Sequence, residues 1–165
     1  LATRWTEYGF VGTQGINTIK QLGSTKTERS TFRLLAIHHH LLPVNKVEAP
    51  NEKGVTLSLD ASLILSTAQS AGVHIAIHGH QHMPHVARYQ NLALQGEEDK
   101  APIVVVSNGS SGVSASRRPG DERNTYCILT SSKTDMVLRM RELRTDGKPG
   151  VDLFYKSLGI TPSDS

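Results

Sequence analysis

One cysteine is all the thiol this chain possesses, so no disulfide can close within it and a fold stapled by cross-links is excluded. Cys127 is followed by the apolar Ile128 and Leu129, which reads as a buried strand thiol in a protein of a reducing compartment, and we expect a cytoplasmic location. No apolar run approaches the roughly 18 to 20 residues a bilayer span needs. The N-terminus also lacks the basic-then-apolar pattern of a secretory leader, so no membrane partner is expected. A strong charge of one sign is missing too: 18 Lys and Arg face 15 Asp and Glu, for a formal net charge of +3. The only dense basic cluster is Arg139, Arg141 and Arg144. In a strand Arg139 and Arg141 share one face, where an exposed edge explains them, so nucleic acid is not an expected partner.

What remains is a chain of 165 residues with 37% hydrophobic and 20% charged residues, which suits one globular domain with a real core. Its anomaly is histidine. All eight histidines fall between His38 and His85, which points to one site.

The apolar pattern organises the chain. Ile16, Ile19 and Leu22 give a short helix over Thr13 to Leu22, stopped by Gly23. After a polar linker over Ser24 to Ser30, Arg33 to Ile37 reads as a buried strand ending in three histidines. A polar loop over Asn45 to Gly54 leads to a helix with Asp60 or Ser58 as N-cap, an apolar stripe through Leu63, Ile64 and Ala68, and Gly72 as stop. Val73 to Ile77 is a second buried strand and ends at His78-Gly-His-Gln-His82. Two apolar strands joined by a helical crossover are parallel neighbours, so both histidine groups should reach the same sheet edge, where open α/β sheets place their ligand sites. Further strands are expected over His85 to Leu94 and Pro102 to Val106, with a charged turn at Gln95 to Lys100 and a Gly/Ser loop at Ser107 to Gly112. A hairpin pairs Asn124 to Thr130 with Met136 to Leu143 around Ser131 to Asp135. From Val151 onward no element is assigned, and Pro162 to Ser165 is read as a frayed tail.

His80 and His82 are two apart, so in extended backbone their rings point to one side, and Gly79 allows a turn there. Imidazole is a ligand for zinc and, mixed with carboxylates, for iron or manganese. A Gly-His-x-His string closing a buried strand, next to a histidine cluster ending the neighbouring one, points to a metal site.

The strings Ile37-His-His-His-Leu-Leu-Pro43 and His78-Gly-His-Gln-His-Met-Pro84 resemble the last two signature motifs of the calcineurin-like metallophosphoesterases, and their surroundings are similar to the cyclic-nucleotide phosphodiesterase branch. The resemblance implies an α/β fold, the second half of a metallophosphoesterase-type αββα sandwich, with a strand-helix-strand unit in a mixed sheet followed by mostly antiparallel strands. It implies that His39 and His80 ligate one metal, that His82 ligates the other, and that His40 contacts the substrate phosphate, leaving His38 a packed strand residue. His74 and His78 are read as structural. The implied activity is hydrolysis of phosphodiesters or phosphomonoesters through two divalent ions of manganese, iron or zinc, with a cyclic nucleotide as a candidate substrate.

The family's Asp-x-His, Gly-Asp-x-x-Asp and Asn-His motifs do not occur. The closest string, Gly120-Asp121-Glu-Arg-Asn124, lacks the final acid, and Asn108 is followed by Gly109. The resemblance therefore covers roughly Gly12 to Leu143, the C-terminal part of such a domain. On this reading the isolated chain binds at most one ion, has little or no activity, and exposes a sheet edge suited to homo-oligomer formation. A noncatalytic His-rich metal-binding module is the alternative.

Overall fold

The computed structural model describes residues 8–26, 31–43, 57–80, 82–94, 98–114 and 123–161, and among these residues two helices and two sheets form three layers. The polar loop expected at 45–54, the first residues of the expected charged turn at 95–97, residues 120–122 and the tail at 162–165 lie outside the described residues.

The central sheet has the order β1-β2-β4-β3, with β1 (Leu34–Ala36), β2 (Ile75–His78), β3 (His85–Tyr89) and β4 (Ile103–Ser107). β1, β2 and β4 run parallel and β3 is antiparallel to β4, so the strand-helix-strand unit expected from the sequence is present in the expected sense. β4 is buried at every position because both faces of the sheet are covered. Side chains alternate between the faces. Ala76, Ile103 and Val105 pack with Ile16, Ile64, Leu65 and Ala68 of the helices. Ile75, Val104 and Val106 pack with Met136, Leu138 and Met140 of a second sheet. That sheet is the antiparallel meander β5 (Thr125–Ser131), β6 (Met136–Glu142) and β7 (Asp152–Ser157).

Several expectations are corrected. β1 is not buried: it lies at the edge of its sheet and Leu34 is 48% exposed, since only β2 pairs with it among the described residues. β6 is not an exposed edge but the middle strand of its sheet. Its inward residues Met136, Leu138, Met140 and Glu142 are buried, and Arg139 and Arg141 stand on the opposite face against Asp152, at 2.8 and 3.0 Å. β7, unassigned from the sequence, supplies that carboxylate.

The helices show two further differences. In α1 (Gly12–Ser24), Gly23 does not stop the helix; a Cβ there would lie 2.7 Å from the Ala71 Cα, so the missing side chain lets α1 touch the end of α2. In α2 (Ala61–Ser70), Asp60 holds the N-cap position yet makes no side-chain cap bond. Its carboxylate instead accepts the Val11 N–H at 3.1 Å, the Gly12 N–H at 2.8 Å and the Ser58 hydroxyl at 2.7 Å, so it closes the start of α1. Burial raises the Asp60 pKa, but these bonds outweigh it and hold the carboxyl below its ordinary value. At the other end Gly72 behaves as expected. Its φ is 69°, its N–H reaches the Gln69 carbonyl at 3.1 Å, and the Val73 N–H reaches the Ala68 carbonyl at 2.9 Å.

Candidate metal centre

The parallel register brings the ends of β1 and β2 together, and the chain leaves both strands in histidines. The Gly79 N–H bonds the His38 carbonyl at 3.1 Å, which ties the two exits to each other. Three rings meet there. His38, His39 and His80 offer nitrogens that all lie within 4.8 Å of one another, and the His38 Nε2 and His80 Nδ1 are 3.1 Å apart. Ring centroids are separated by 4.9 Å for His38 and His39, 5.0 Å for His38 and His80, and 4.6 Å for His39 and His80. Around one tetrahedral ion with nitrogens at about 2.0 to 2.1 Å, two ligand nitrogens sit about 3.3 Å apart, which is close to the observed spacing. The three residues form a cluster that could hold a metal ion.

The composition of this cluster differs from the expected trio. His39 and His80 are brought together, whereas His38, read from the sequence as a packed strand residue, is exposed and takes the third place. His82 is not a member of the group among the described residues. The reason lies in the backbone. β2 ends at His78, and His80 and His82 have φ of 74° and 60°, so the chain is left-handed where the side-chain alternation assumed extended geometry. Non-glycine residues in that region cost roughly 1 to 3 kcal/mol each and cluster at functional sites. The turn does not depend on a missing side chain at Gly79, where a Cβ would meet nothing nearer than the His38 carbonyl oxygen at 4.0 Å.

His40 and His78 lie in a second tier. Both rings are buried, at 2% exposure each, with centroids 5.3 Å apart, and the His40 centroid is 5.9 Å from that of His80. Burial, then the charge of neighbouring histidines, pushes the His40 pKa down to about 4; burial likewise takes His78 to about 4. Both are therefore neutral at physiological pH and place no positive charge beneath the cluster. Neither ring nitrogen of His40 has a hydrogen-bond partner among the described residues. The ring does not open on solvent, where a substrate phosphate would approach. His39 is also lowered, by burial first and the His38 charge second. His74 is held apart, its Nδ1 accepting the Arg33 N–H at 3.0 Å.

The sequence reading missed Gly9. A Cβ on Gly9 would collide with the Cβ, Cγ and Nδ1 of His39, so the bare backbone of residue 9 is the surface on which that ring rests. The Leu59 N–H to Gly9 carbonyl bond, 2.8 Å, and the Asp60 bonds to residues 11 and 12 hold this segment in place. No motif marks a glycine of this kind. Farther off, on β5, the half-buried Cys127 thiol lies 3.3 Å from the Asn108 Oδ1, and burial raises its pKa to about 11, so it is an inert strand thiol.

No helix among the described residues is long and apolar enough to cross a membrane. No known protein-family model matches this chain, and no curated protein matches it significantly.

Proposed function

We propose that this chain is the histidine-bearing part of a metal-dependent phosphoesterase of the calcineurin-like kind, with His38, His39 and His80 binding one divalent ion of zinc, iron or manganese. The observation that carries this reading is the convergence of three imidazoles at the carboxyl ends of two parallel strands, in the two strings that resemble that family's last motifs. The layering of helices, mixed sheet and antiparallel sheet fits the second half of an αββα sandwich.

A bound divalent ion supplies Lewis acidity toward a phosphate ester. The residues of the chain set the conditions for it. Three neutral imidazoles leave the charge of the ion uncancelled, the Gly9 backbone fixes the His39 ring, and the uncharged His40 and His78 add no repulsion from below. His82, outside the cluster, is left to serve a second cation position that needs the family's aspartate motifs, which these 165 residues lack. The isolated chain thus binds one ion and turns over phosphodiesters or monoesters slowly or not at all. A cyclic nucleotide is the substrate class the family branch suggests. Among the described residues β1 pairs on one side only and Leu34 is exposed, which suits pairing with a further strand, from an upstream segment or a second copy.

The test is metal analysis with a chromogenic phosphodiester assay, on the chain alone and joined to a segment bearing the two aspartate motifs. One zinc per isolated chain is expected, with turnover only in the joined protein and lost in His80→Ala. Full turnover in that variant contradicts the reading. One observation favours a noncatalytic metal module: among the described residues the cluster includes no carboxylate. A joined protein that binds metal yet hydrolyses nothing would select it.

A further inference from the structure

A cleft of about 440 Å³ opens at the end of the central sheet away from the cluster of His38, His39 and His80. Gly72, Val73 and His74 border it just before β2, and Ala101 and Pro102 just before β4, so it stands at the amino ends of β2 and β4, whereas the histidine cluster stands past the carboxyl end of β2. Four residues of β2 at about 3.3 Å each set the two ends on the order of 13 Å apart. The volume is that of a small-molecule site.

Its lining is divided. Val73, Pro102, Val104 and Ile160 give an apolar floor, and Arg88 and Lys100 stand at its exposed margin. No Asp or Glu lines the cleft, and neither cation pairs with a carboxylate among the described residues. Arg88 donates one bond to the Leu158 carbonyl at 2.7 Å and Lys100 one to the Ser70 hydroxyl at 2.8 Å, leaving further donors on each. Asp99 is next to Lys100 in the chain, but its Oδ1 accepts the Ala93 N–H at 2.7 Å; Glu98 borders a smaller, adjoining cavity that shares Lys100 with the cleft, and it makes no ion pair with Lys100 among the described residues. The end of α2 also faces the cleft, where its dipole would oppose an anion. That end is answered: Arg33 Nη1 bonds the Ala71 carbonyl at 2.9 Å, and the Gly72 N–H bonds that of Gln69. The walls are preformed. The buried Gln69 amide donates to the Lys100 and Ala101 carbonyls at 3.2 and 3.1 Å and accepts the Asn91 N–H at 3.1 Å.

We infer that this cleft is a second binding site, for a small organic anion that lays an apolar or aromatic body on Val73, Pro102, Val104 and Ile160 and sets a carboxylate, sulfonate or phosphate between Arg88 and Lys100. Floor and cations are separate on the surface, so the ligand must carry both characters; a bare inorganic ion leaves the floor uncovered and a neutral hydrocarbon leaves the cations unmatched. The site is independent of the histidine cluster and stands whether or not that cluster binds metal.

The experiment is calorimetric titration of the whole chain with 2-naphthalenesulfonate and, separately, with neutral 2-naphthol. Saturable binding of the sulfonate at one site is expected, at least tenfold tighter than naphthol. Lys100→Gln should weaken it several-fold, and adding Arg88→Gln should weaken it at least tenfold in total. Ala101→Trp, which fills the cleft from an exposed position, should abolish it. Zinc affinity and melting temperature should be unchanged in Lys100→Gln and Ala101→Trp. Equal binding of the two probes, unaltered binding in Ala101→Trp, or no saturable binding of the sulfonate at millimolar concentration would overturn the assignment.

Discussion

Replacing Asp60 with alanine separates two readings of one residue. Were Asp60 only the N-cap of α2, its loss would cost about 1 kcal/mol and touch nothing else. In the structure it accepts three bonds, from Val11 at 3.1 Å, Gly12 at 2.8 Å and Ser58 at 2.7 Å. Hydrogen bonds to a charged group contribute about 1.5 to 3 kcal/mol each, but the site is partly open and water can replace part of them, so we expect a loss of about 2 to 3 kcal/mol. For a chain of this size that lowers the melting temperature by roughly 5 to 10 °C. The effect should extend to metal binding, because the residues Asp60 anchors lead back to Gly9, on which the His39 ring rests. Thermal unfolding by circular dichroism and a zinc competition titration measure both quantities. Asp60→Asn, which keeps the oxygen but not the charge, should fall between wild type and alanine. A loss in Asp60→Ala of no more than about 1 kcal/mol, with unchanged zinc affinity, would refute the bridging role.

Three further outcomes follow from the site. Gly9→Ala should weaken zinc binding at least tenfold without removing a ligand, since the added methyl displaces the His39 ring; competition titration shows it. His38→Ala should weaken binding of the first zinc at least tenfold, whereas His82→Ala should leave it within about twofold, the reverse of what extended backbone would give. The metal-free protein should lose stability on acidification. His40 and His78 titrate near 4 when folded and 6.5 when unfolded, so between those values the unfolded chain binds more protons and folding weakens as pH falls. Between pH 7 and pH 5 each contributes a loss of about 2 kcal/mol, and the pair about 3 to 4. Urea unfolding in chelator should show this slope, roughly halved in His78→Phe; a flat profile would contradict it.

The parallel strand-helix-strand unit was legible because each part carries its own signal: an apolar run before each histidine group, a periodic stripe through Ile64 and Ala68, and Gly72 at the stop. The hairpin around Ser131 to Asp135 was legible for the same reason. The place of the site, at the carboxyl ends of β1 and β2, followed from the parallel connection. Its third histidine did not. Whether His38 or His82 joins His39 and His80 depends on the left-handed φ of His80 and His82, and a histidine in the sequence does not by itself announce such angles. β7 escaped detection because its positions are exposed except for Phe154, so no apolar alternation marks it. Without β7, β6 read as an exposed edge and its arginines as the residues of that edge. Asp60 and Gly9 act on residues tens of positions away, or on a ring packed against bare backbone, and sequence adjacency carries neither relation.

X-ray absorption at the zinc edge of the singly loaded chain tests the central claim most directly. Three imidazole nitrogens at about 2.0 to 2.1 Å are predicted, with one lost in each of His38→Ala, His39→Ala and His80→Ala and none lost in His82→Ala. A shell with fewer than three imidazoles, or one that loses a ligand in His82→Ala but not in His38→Ala, would contradict it.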